Sequence, residues 1–197
     1  MKISKRLLLA SLVFTSGAWF SGVALGADAK ITLSGANEVP PVQTSASGDE
    51  VAVINLMGQV FMGTAISPFR IVDALVDEAQ TMAETIVVDL HAEATSEKVA
   101  MAQYLDGRVT AVVGTHTHVQ TADEHVSEHG TAAITDVGMC GPFASVIGVR
   151  SEIILRRFLT ELPAQFEVAD GDVRIDALVV TAEGGRATAV ERLERRC

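Results

Sequence analysis

Residues 85–118 read "TIVVDLHAEATSEKVAMAQYLDGRVTAVVGTHTH" and contain one helix pattern between two strand patterns. The runs "TIVVDL" (85–90) and "VTAVV" (109–113) are short, apolar and rich in β-branched residues, which is typical of strands buried on both faces. Between them, "SEKVAMAQYLDG" (96–107) predicts a helix closed by Gly107. This strand–helix–strand unit predicts an α/β fold with a parallel sheet.

The same alternation extends upstream. "VAVINLM" (51–57) predicts another buried strand. "SPFRIVDALVDEAQTM" (67–82) predicts a helix with Ser67 as N-cap and Pro68 at the first helical position. The apolar residues of this segment recur at helical spacing: Phe69, Val72, Leu75, Val76 and Ala79.

Downstream, the pattern changes from alternating to antiparallel. "TAAIT" (131–135) predicts a short strand leading to Asp136, and "SEIILRRFLTEL" (151–162) predicts a helix. Three further segments read as antiparallel strands joined by glycine-containing turns: "AQFEVAD" (164–170), "DVRIDALVVTAE" (172–183) and "RATAVERL" (186–193).

Three histidines follow predicted strand ends. His91 comes directly after one strand, and His116 and His118 come after the next. Ligands of open α/β sheets bind beyond the carboxyl ends of the strands, and residues two apart in an extended segment point the same way. Neutral imidazoles bind zinc, iron, manganese or nickel, so the three side chains predict a metal site. The alternative is that each is a polar loop residue with local hydrogen bonds.

The N-terminus has the order of regions found in secretory signal peptides. Lys2, Lys5 and Arg6 precede the apolar run at 7–25, and small residues ending at Ala29 resemble a cleavage site. We therefore expect residues 1–29 to direct export to the periplasm or medium, with only transient membrane contact. A permanent anchor is the alternative, because the run is close to spanning length.

Composition limits the classes of function. The 197-residue chain is 48% hydrophobic, which is enough for a folded domain, and its net charge is −10. Such a charge argues against binding duplex nucleic acid, since that affinity comes from Lys and Arg neutralising phosphates. A small phosphorylated ligand stays compatible if a metal supplies positive charge. Cys140 and Cys197 form no disulfide framework, and neither is assigned a function.

Residues 30–50 are rich in Ser, Gly and Pro and read as a linker. Within them, "LSGANEVPPVQTSASG" (33–48) resembles the opening of the CHRD domain, a β-rich module of secreted proteins. The alternating strands that should follow in such a module are not present in the sequence.

Residues 51–197 resemble the C-terminal part of the YmdB-like metallophosphoesterases. The resemblance lies in "VAVINLMGQVFM" (51–62), the long segment at 87–124 that includes "HAEATSEK" and "GTHTHVQTADE", "GTAAITDVGMCGP" (130–142) and "RRFLTELPAQFEVA" (156–169). It implies a calcineurin-like α/β/β/α sandwich that hydrolyses cyclic nucleotide phosphodiesters such as 2′,3′-cyclic AMP. It also implies a centre of two metal ions, of the Fe, Mn or Zn type, with a single ion as the alternative for this chain.

The resemblance assigns roles to individual residues. His91 and His116 would bind one metal ion, and His118 would bind the other. Glu93 and Glu97 would orient His91 or cap the following helix, and Asp123 would orient the histidine loop. A solvated helix face is the alternative for Glu97 and Lys98, and surface exposure is the alternative for Asp123.

The chain departs from the family pattern in its first 50 residues. The early Asp, the bridging acidic residue and the Asn-His pair that supply further ligands and the general acid have no counterpart here. We therefore expect an incomplete sandwich with impaired catalysis, since loss of a general acid typically costs about 10²–10⁴-fold in rate. Exposed apolar strand faces would favour self-association into a homo-oligomer.

Three hypotheses follow. In the first, a phosphodiesterase centre is completed by another carboxylate, such as Asp89 or Asp136, or by a second chain. In the second, the chain is a non-catalytic remnant that binds metal or nucleotide. In the third, it is a secreted CHRD-like binding module, which would be all-β.

Overall fold

A computed structural model describes residues 5–10, 42–46, 49–63 and 66–197. Strands are β1 (Lys5–Ala10), β2 (Val42–Ala46), β3 (Asp49–Met57), β4 (Thr85–His91), β5 (Ala111–Thr115), β6 (His125–Val126), β7 (Ala132–Ile134), β8 (Cys140–Pro142), β9 (Val173–Glu183) and β10 (Arg186–Arg196). Helices are α1 (Val72–Gln80), α2 (Thr95–Tyr104) and α3 (Ser151–Thr160), with a 3₁₀ turn at Pro68–Arg70.

The first sheet has the order β2-β3-β4-β5-β7-β6. Strands β3, β4, β5 and β7 run parallel, and β2 and β6 pair antiparallel at the two edges. The register places Met57 opposite His91 and His91 opposite Thr115, so the ends of β3, β4 and β5 meet at one edge of the sheet. The α/β fold predicted from residues 85–118 is confirmed.

The second sheet is antiparallel. Strand β9 pairs with β1 on one side and β10 on the other, and β8 also pairs with β9. Gly184 and Gly185 both have positive φ between β9 and β10, which is the conformation that a tight hairpin turn requires.

Two cores separate three layers. One lies between the first sheet and helices α1 and α2, and it contains Ile54, Val76 and Leu90. The other lies between the two sheets and contains Val87, Val113, Leu178 and Val180. Successive residues of a strand face opposite sides, so the continuous apolar runs of β3, β4 and β5 fill both cores.

Two predicted elements differ from the structure. Ser67 makes no capping hydrogen bond, and the segment opens with the 3₁₀ turn before α1 begins at Val72, although Val72, Val76 and Ala79 are buried as predicted. The predicted strand at 164–170 is wrong. Within this segment Val168 forms a single bridge, to Val149, and the neighbouring Glu167 and Ala169 pair with Arg150 and Gly148 of the loop before α3.

The predicted signal peptide lies largely outside the described residues. Its described part, β1, forms a strand in the second sheet with Leu7 and Leu9 buried. Cleavage and export are therefore predictions, as is the division at residues 29 and 50. None of the described helices has the length and apolar content needed to cross a bilayer.

Candidate metal centre

A chain of hydrogen bonds at the ends of β3, β4 and β5 fixes the ring of His91. Asn55 Nδ2 donates to Asp89 Oδ2 over 2.9 Å, and the Thr115 hydroxyl donates to Asp89 Oδ1 over 2.8 Å. Thr115 Oγ1 lies 3.2 Å from Nδ1 of His91. Since the Thr115 hydrogen goes to Asp89, its oxygen accepts from the His91 Nδ1–H, and this assigns the lone pair of His91 to Nε2.

His91 is held as a neutral imidazole. Burial, followed by the neighbouring charge of His116, lowers the pKa of His91 to about 4. Neutral imidazole with a free Nε2 lone pair is the form that binds metal ions. Burial also raises the pKa of Asp89 to about 7, against the lowering effect of the Thr115 hydrogen bond.

His116 meets His91 directly. Its Nδ1 lies 3.1 Å from His91 Nε2, the two rings are edge to face with centroids 4.8 Å apart, and its Nε2 lies 2.8 Å from Glu93 Oε2. If His116 Nε2–H donates to Glu93, its neutral form turns a second lone pair towards the first. Such a pair of lone pairs is stable only with a cation between them, either a proton or a metal ion.

The backbone of the histidine loop is strained. His116 has φ 122° and His118 has φ 63°, both in a region that non-glycine residues seldom adopt. Residues held in such conformations cost on the order of 1–3 kcal/mol each, and they persist when their surroundings fix them. Here the amide of Thr117, between the two histidines, donates to Asp136 Oδ2 over 3.0 Å.

A buried ion pair lies beneath this loop. Lys98 Nζ is 3.0 Å from Asp136 Oδ2, with side-chain exposures of 4% and 1%. Asp136 also accepts from the amide of Gly138. Gly114 makes room for the ion pair, because a Cβ there would lie 1.8 Å from the Thr135 carbonyl oxygen and 2.7 Å from Lys98 Cδ.

His118 is turned to a different partner. Its Nδ1 donates to the carbonyl of Ile147 over 3.0 Å, which leaves the Nε2 position for a lone pair. The charge of His118 contributes to lowering the pKa of His91, so the three histidines share one region. In the part of the chain that the structure describes, no three His, Cys, Asp or Glu side chains form a group that could hold a metal ion.

The described residues provide part of the coordination that one metal ion requires. Two nitrogens that each lie about 2.1 Å from a zinc-sized ion are roughly 3.0–3.4 Å apart, and His91 Nε2 and His116 Nδ1 are 3.1 Å apart. With His116 Nε2–H donating to Glu93, both nitrogens would carry lone pairs, and a carboxylate would orient the second ring in the manner of metal-bound histidines.

Residues 36–193 match the family described as YmdB-like protein. The chain is 48% identical over 150 residues to the 2′,3′-cyclic-nucleotide 2′-phosphodiesterase of Bacillus subtilis (strain 168), covering 76% of this chain and 56% of that protein. It is 38% identical over 140 residues to a putative phosphatase/phosphodiesterase of Mycoplasma genitalium, covering 68% of this chain and 48% of that protein.

The chain belongs to the YmdB-like family.

Solved structures agree on the fold of this YmdB-like chain. A crystal structure of a hypothetical protein from Thermus thermophilus superposes with TM-score 0.74 at 42% identity, covering 79% of this chain and 61% of that one. A novel phosphatase from Mycoplasma pneumoniae superposes with TM-score 0.70 at 31% identity, covering 79% and 57%. The chain spans about half the length of the two curated relatives described above.

The glutamates of the YmdB-like signature have different partners. Glu93 was predicted to orient His91 or to cap the following helix, and its carboxylate contacts the ring of His116. The alternative of a solvated face for Glu97 and Lys98 is wrong, since both are buried. Glu97 accepts the amides of Gln59 and Val60 over 2.8 and 3.2 Å, and it thereby holds the loop after β3.

Asp123 is exposed, as the alternative predicted, and it also supports the histidine loop from its far end. Its Oδ1 accepts from the Thr121 hydroxyl over 2.7 Å and from the Thr135 amide over 3.1 Å. These bonds pin the end of the segment 116–124 to the end of β7. Asp123 therefore orients the loop through its backbone and not through a histidine ring.

Neither Asp89 nor Asp136 is supported as a replacement bridging carboxylate. Both are buried beneath the histidines, and both oxygens of each accept hydrogen bonds from the protein. Sequence reasoning also missed Asn55 and Thr115, although a lone Asn in the apolar run "VAVINLM" was a signal that its amide serves a buried partner.

Proposed function

We propose that this chain binds a divalent metal ion through His91 and His116, with His118 as a ligand of the same region, and acts on 2′,3′-cyclic nucleotides as a phosphodiesterase. The observation that carries the proposal is the contact between His91 Nε2 and His116 Nδ1, which lie 3.1 Å apart, the spacing of two nitrogens bound to one zinc-sized ion. The relative from Bacillus subtilis is named for that reaction, which supports the choice of substrate.

The chain's own residues prepare the site. Asp89 and Thr115 fix the orientation of the His91 ring towards His116, burial keeps His91 neutral, and Glu93 contacts the second ring. Asp136 fixes the strained backbone between His116 and His118, so the loop needs no reorganisation when a ligand arrives. A bound metal would polarise a phosphoryl oxygen and lower the pKa of a water molecule.

We expect turnover to be slow. This expectation is consistent with the contacts of the three imidazoles, since His91 and His116 contact each other and His118 contacts Ile147. Loss of a general acid typically lowers the rate about 10²–10⁴-fold.

A non-catalytic remnant that binds metal or nucleotide is the second candidate. The all-β CHRD-like module is not the fold of the described residues. Export of the chain belongs to the proposal, on the strength of the sequence pattern at residues 1–29.

The test is calorimetric titration of the chain with Zn²⁺ and Mn²⁺, paired with an assay on 2′,3′-cyclic AMP. His116→Ala should weaken metal binding at least tenfold, whereas His125→Ala should not, because His125 is exposed and its ring Nδ1 donates to the carbonyl of Asp123. Equal affinity in the native chain and His116→Ala would overturn the metal site. Metal binding with no detectable hydrolysis would select the non-catalytic remnant.

A further inference from the structure

We infer that Phe61 is a stacking platform for the nucleobase of the substrate, an inference that rests on the proposed phosphodiesterase function. The residue lies in the loop at 58–63, which leaves β3 at the sheet edge where the histidines lie.

The loop is tied directly to the candidate metal centre. The amide of Gly58 donates to the carbonyl of His91 over 2.8 Å, and Met57 is the register partner of His91 in the sheet. Phe61 follows Met57 by four residues, and four residues span at most about 14 Å. The loop that carries Phe61 and the histidines therefore lie at the same edge of the sheet.

The loop is held in place before any ligand binds. The carboxylate of Glu97, which is 6% exposed, accepts the amides of Gln59 and Val60. Gly58 permits this contact, since a Cβ there would lie 2.4 Å from Ala92 Cβ and 2.7 Å from Glu97 Oε2. The amide of Met62 donates back to the carbonyl of Gln59 and closes the turn.

Two features of Phe61 in this loop are energetically unfavourable. Its ring is 88% exposed, so its apolar surface is left in water, and its φ of 64° lies in the left-handed region that bulky residues avoid. Covering such a ring with a flat apolar surface removes it from water and lowers the free energy of the complex. A nucleobase has such a surface, and base–aromatic stacking tolerates any base because every base has a π face.

The chemistry of the loop favours the base over the phosphate as the group bound. Gln59, Val60, Phe61 and Met62 carry no positive charge, so they offer nothing to a phosphoryl group. Phosphate recognition stays with the histidines, and base recognition falls to Phe61.

The test compares two cyclic diesters on the metal-loaded chain, 2′,3′-cyclic AMP and the base-free glycerol 1,2-cyclic phosphate. Phe61→Ala should lower kcat/KM for the nucleotide about 5- to 150-fold, and leave that for the base-free diester within about twofold. Phe61→Tyr should restore the nucleotide rate. The matched control is Val60→Ala, which removes an exposed apolar side chain from the same loop. Circular dichroism and melting temperature verify that each variant is folded.

A binding measurement makes the test independent of turnover. Phe61→Trp in a Trp19→Phe background should show fluorescence quenching on addition of adenosine 3′-phosphate, and none with glycerol phosphate. An equal loss on both diesters, or a nucleotide rate unchanged in Phe61→Ala, would overturn the stacking role and leave the phosphodiesterase function standing. If the native chain neither hydrolyses a diester nor binds a nucleotide, both the stacking role and the phosphodiesterase function are overturned.

Discussion

At the scale of single residues, the most consequential side chain outside the histidines is Lys98. It is a buried cation whose carboxylate partner, Asp136, also holds the backbone of Thr117. Removing one member of a buried ion pair leaves the other charge without compensation, which typically costs about 3–5 kcal/mol.

We therefore predict that Lys98→Met lowers the free energy of unfolding by about 3–5 kcal/mol. Urea denaturation followed by circular dichroism measures the change. Adding Asp136→Asn should recover part of the loss, because the neutral amide no longer needs a cation and its oxygen still accepts from Thr117. If Lys98→Met alone is as stable as the native chain, Asp136 is solvated and the prediction is wrong.

Asp176 provides a test of pH dependence. It is buried in β9, and burial, with the negative charge of Glu194 second, raises its pKa from 3.8 to about 6. A folded-state pKa above the unfolded value means that ionisation disfavours the fold. The contribution of Asp176 to stability is fully present below about pH 4, and it is lost as the pH rises through about 6.

Asp176→Asn removes this titration, and we predict that it stabilises the chain at pH 8 by roughly 1–3 kcal/mol. The advantage should vanish near pH 4. Thermal melts of both proteins between pH 4 and pH 8 measure the difference in stability. Asp170→Asn is the control, because it removes the same charge at an exposed position. A difference that does not vary with pH would contradict the assignment.

At the scale of elements, the close approach of β5 to the end of β7 is possible because Gly114 has no side chain. A Cβ at Gly114 would lie 1.8 Å from a backbone oxygen and 2.7 Å from the stem of Lys98, so the strand or the ion pair would have to move. Backbone cannot yield as the end of a flexible side chain can.

We predict that Gly114→Ala destabilises the chain by more than about 3 kcal/mol, or prevents folding, since forced overpacking typically costs 1–3 kcal/mol even where side chains can adjust. The matched control is Gly141→Ala in β8, where an added Cβ meets nothing within 4 Å. Melting temperatures of the two variants measure the effect. If both melt with the native chain, the close approach of β5 and the Thr135 carbonyl is not a feature of the protein in solution.

At the scale of the whole molecule, α3 presents an apolar surface to solvent. Ile154 is its only buried residue, while Leu155, Phe158 and Leu159 of the helix, with Leu162 just past its end, are 56–84% exposed. Arg157 lies in the last turn of α3 and Glu161 follows the helix end, so charges of both signs border the apolar surface. A second copy of the chain therefore fits this surface.

We predict concentration-dependent dimerisation through α3, in line with the self-association expected from the sequence. Replacing Phe158 and Leu159 by Lys should shift the chain to monomer in sedimentation velocity. Lys at exposed Gln103 and Ala189 adds the same charge elsewhere and should leave the association unchanged. A native chain that stays monomeric at high concentration would refute the prediction.

The local pattern of this protein can be predicted from its amino-acid order. Apolar runs of Val and Ile specify β3, β4 and β5, and helical spacing specifies the buried face of α1, because both depend on neighbours along the chain. The rule that ligands lie beyond strand ends placed His91 and His116 at one edge, and their contact at 3.1 Å follows from the parallel register. The strand expected at 164–170 was wrong because pairing needs a distant partner with free backbone groups, which no local pattern reveals.

The side chains that serve the histidines are set by the three-dimensional packing. Asn55, Asp89 and Thr115 lie on three different strands and meet because β3, β4 and β5 pair side by side. Lys98 and Glu97 look like a solvated helix face in the sequence, yet both are buried, since α2 packs its first turn over the ends of the strands. The direction of His118 was likewise set by a carbonyl 29 residues away. Such contacts join positions far apart in the chain, so they arise from packing and hydrogen bonding in three dimensions.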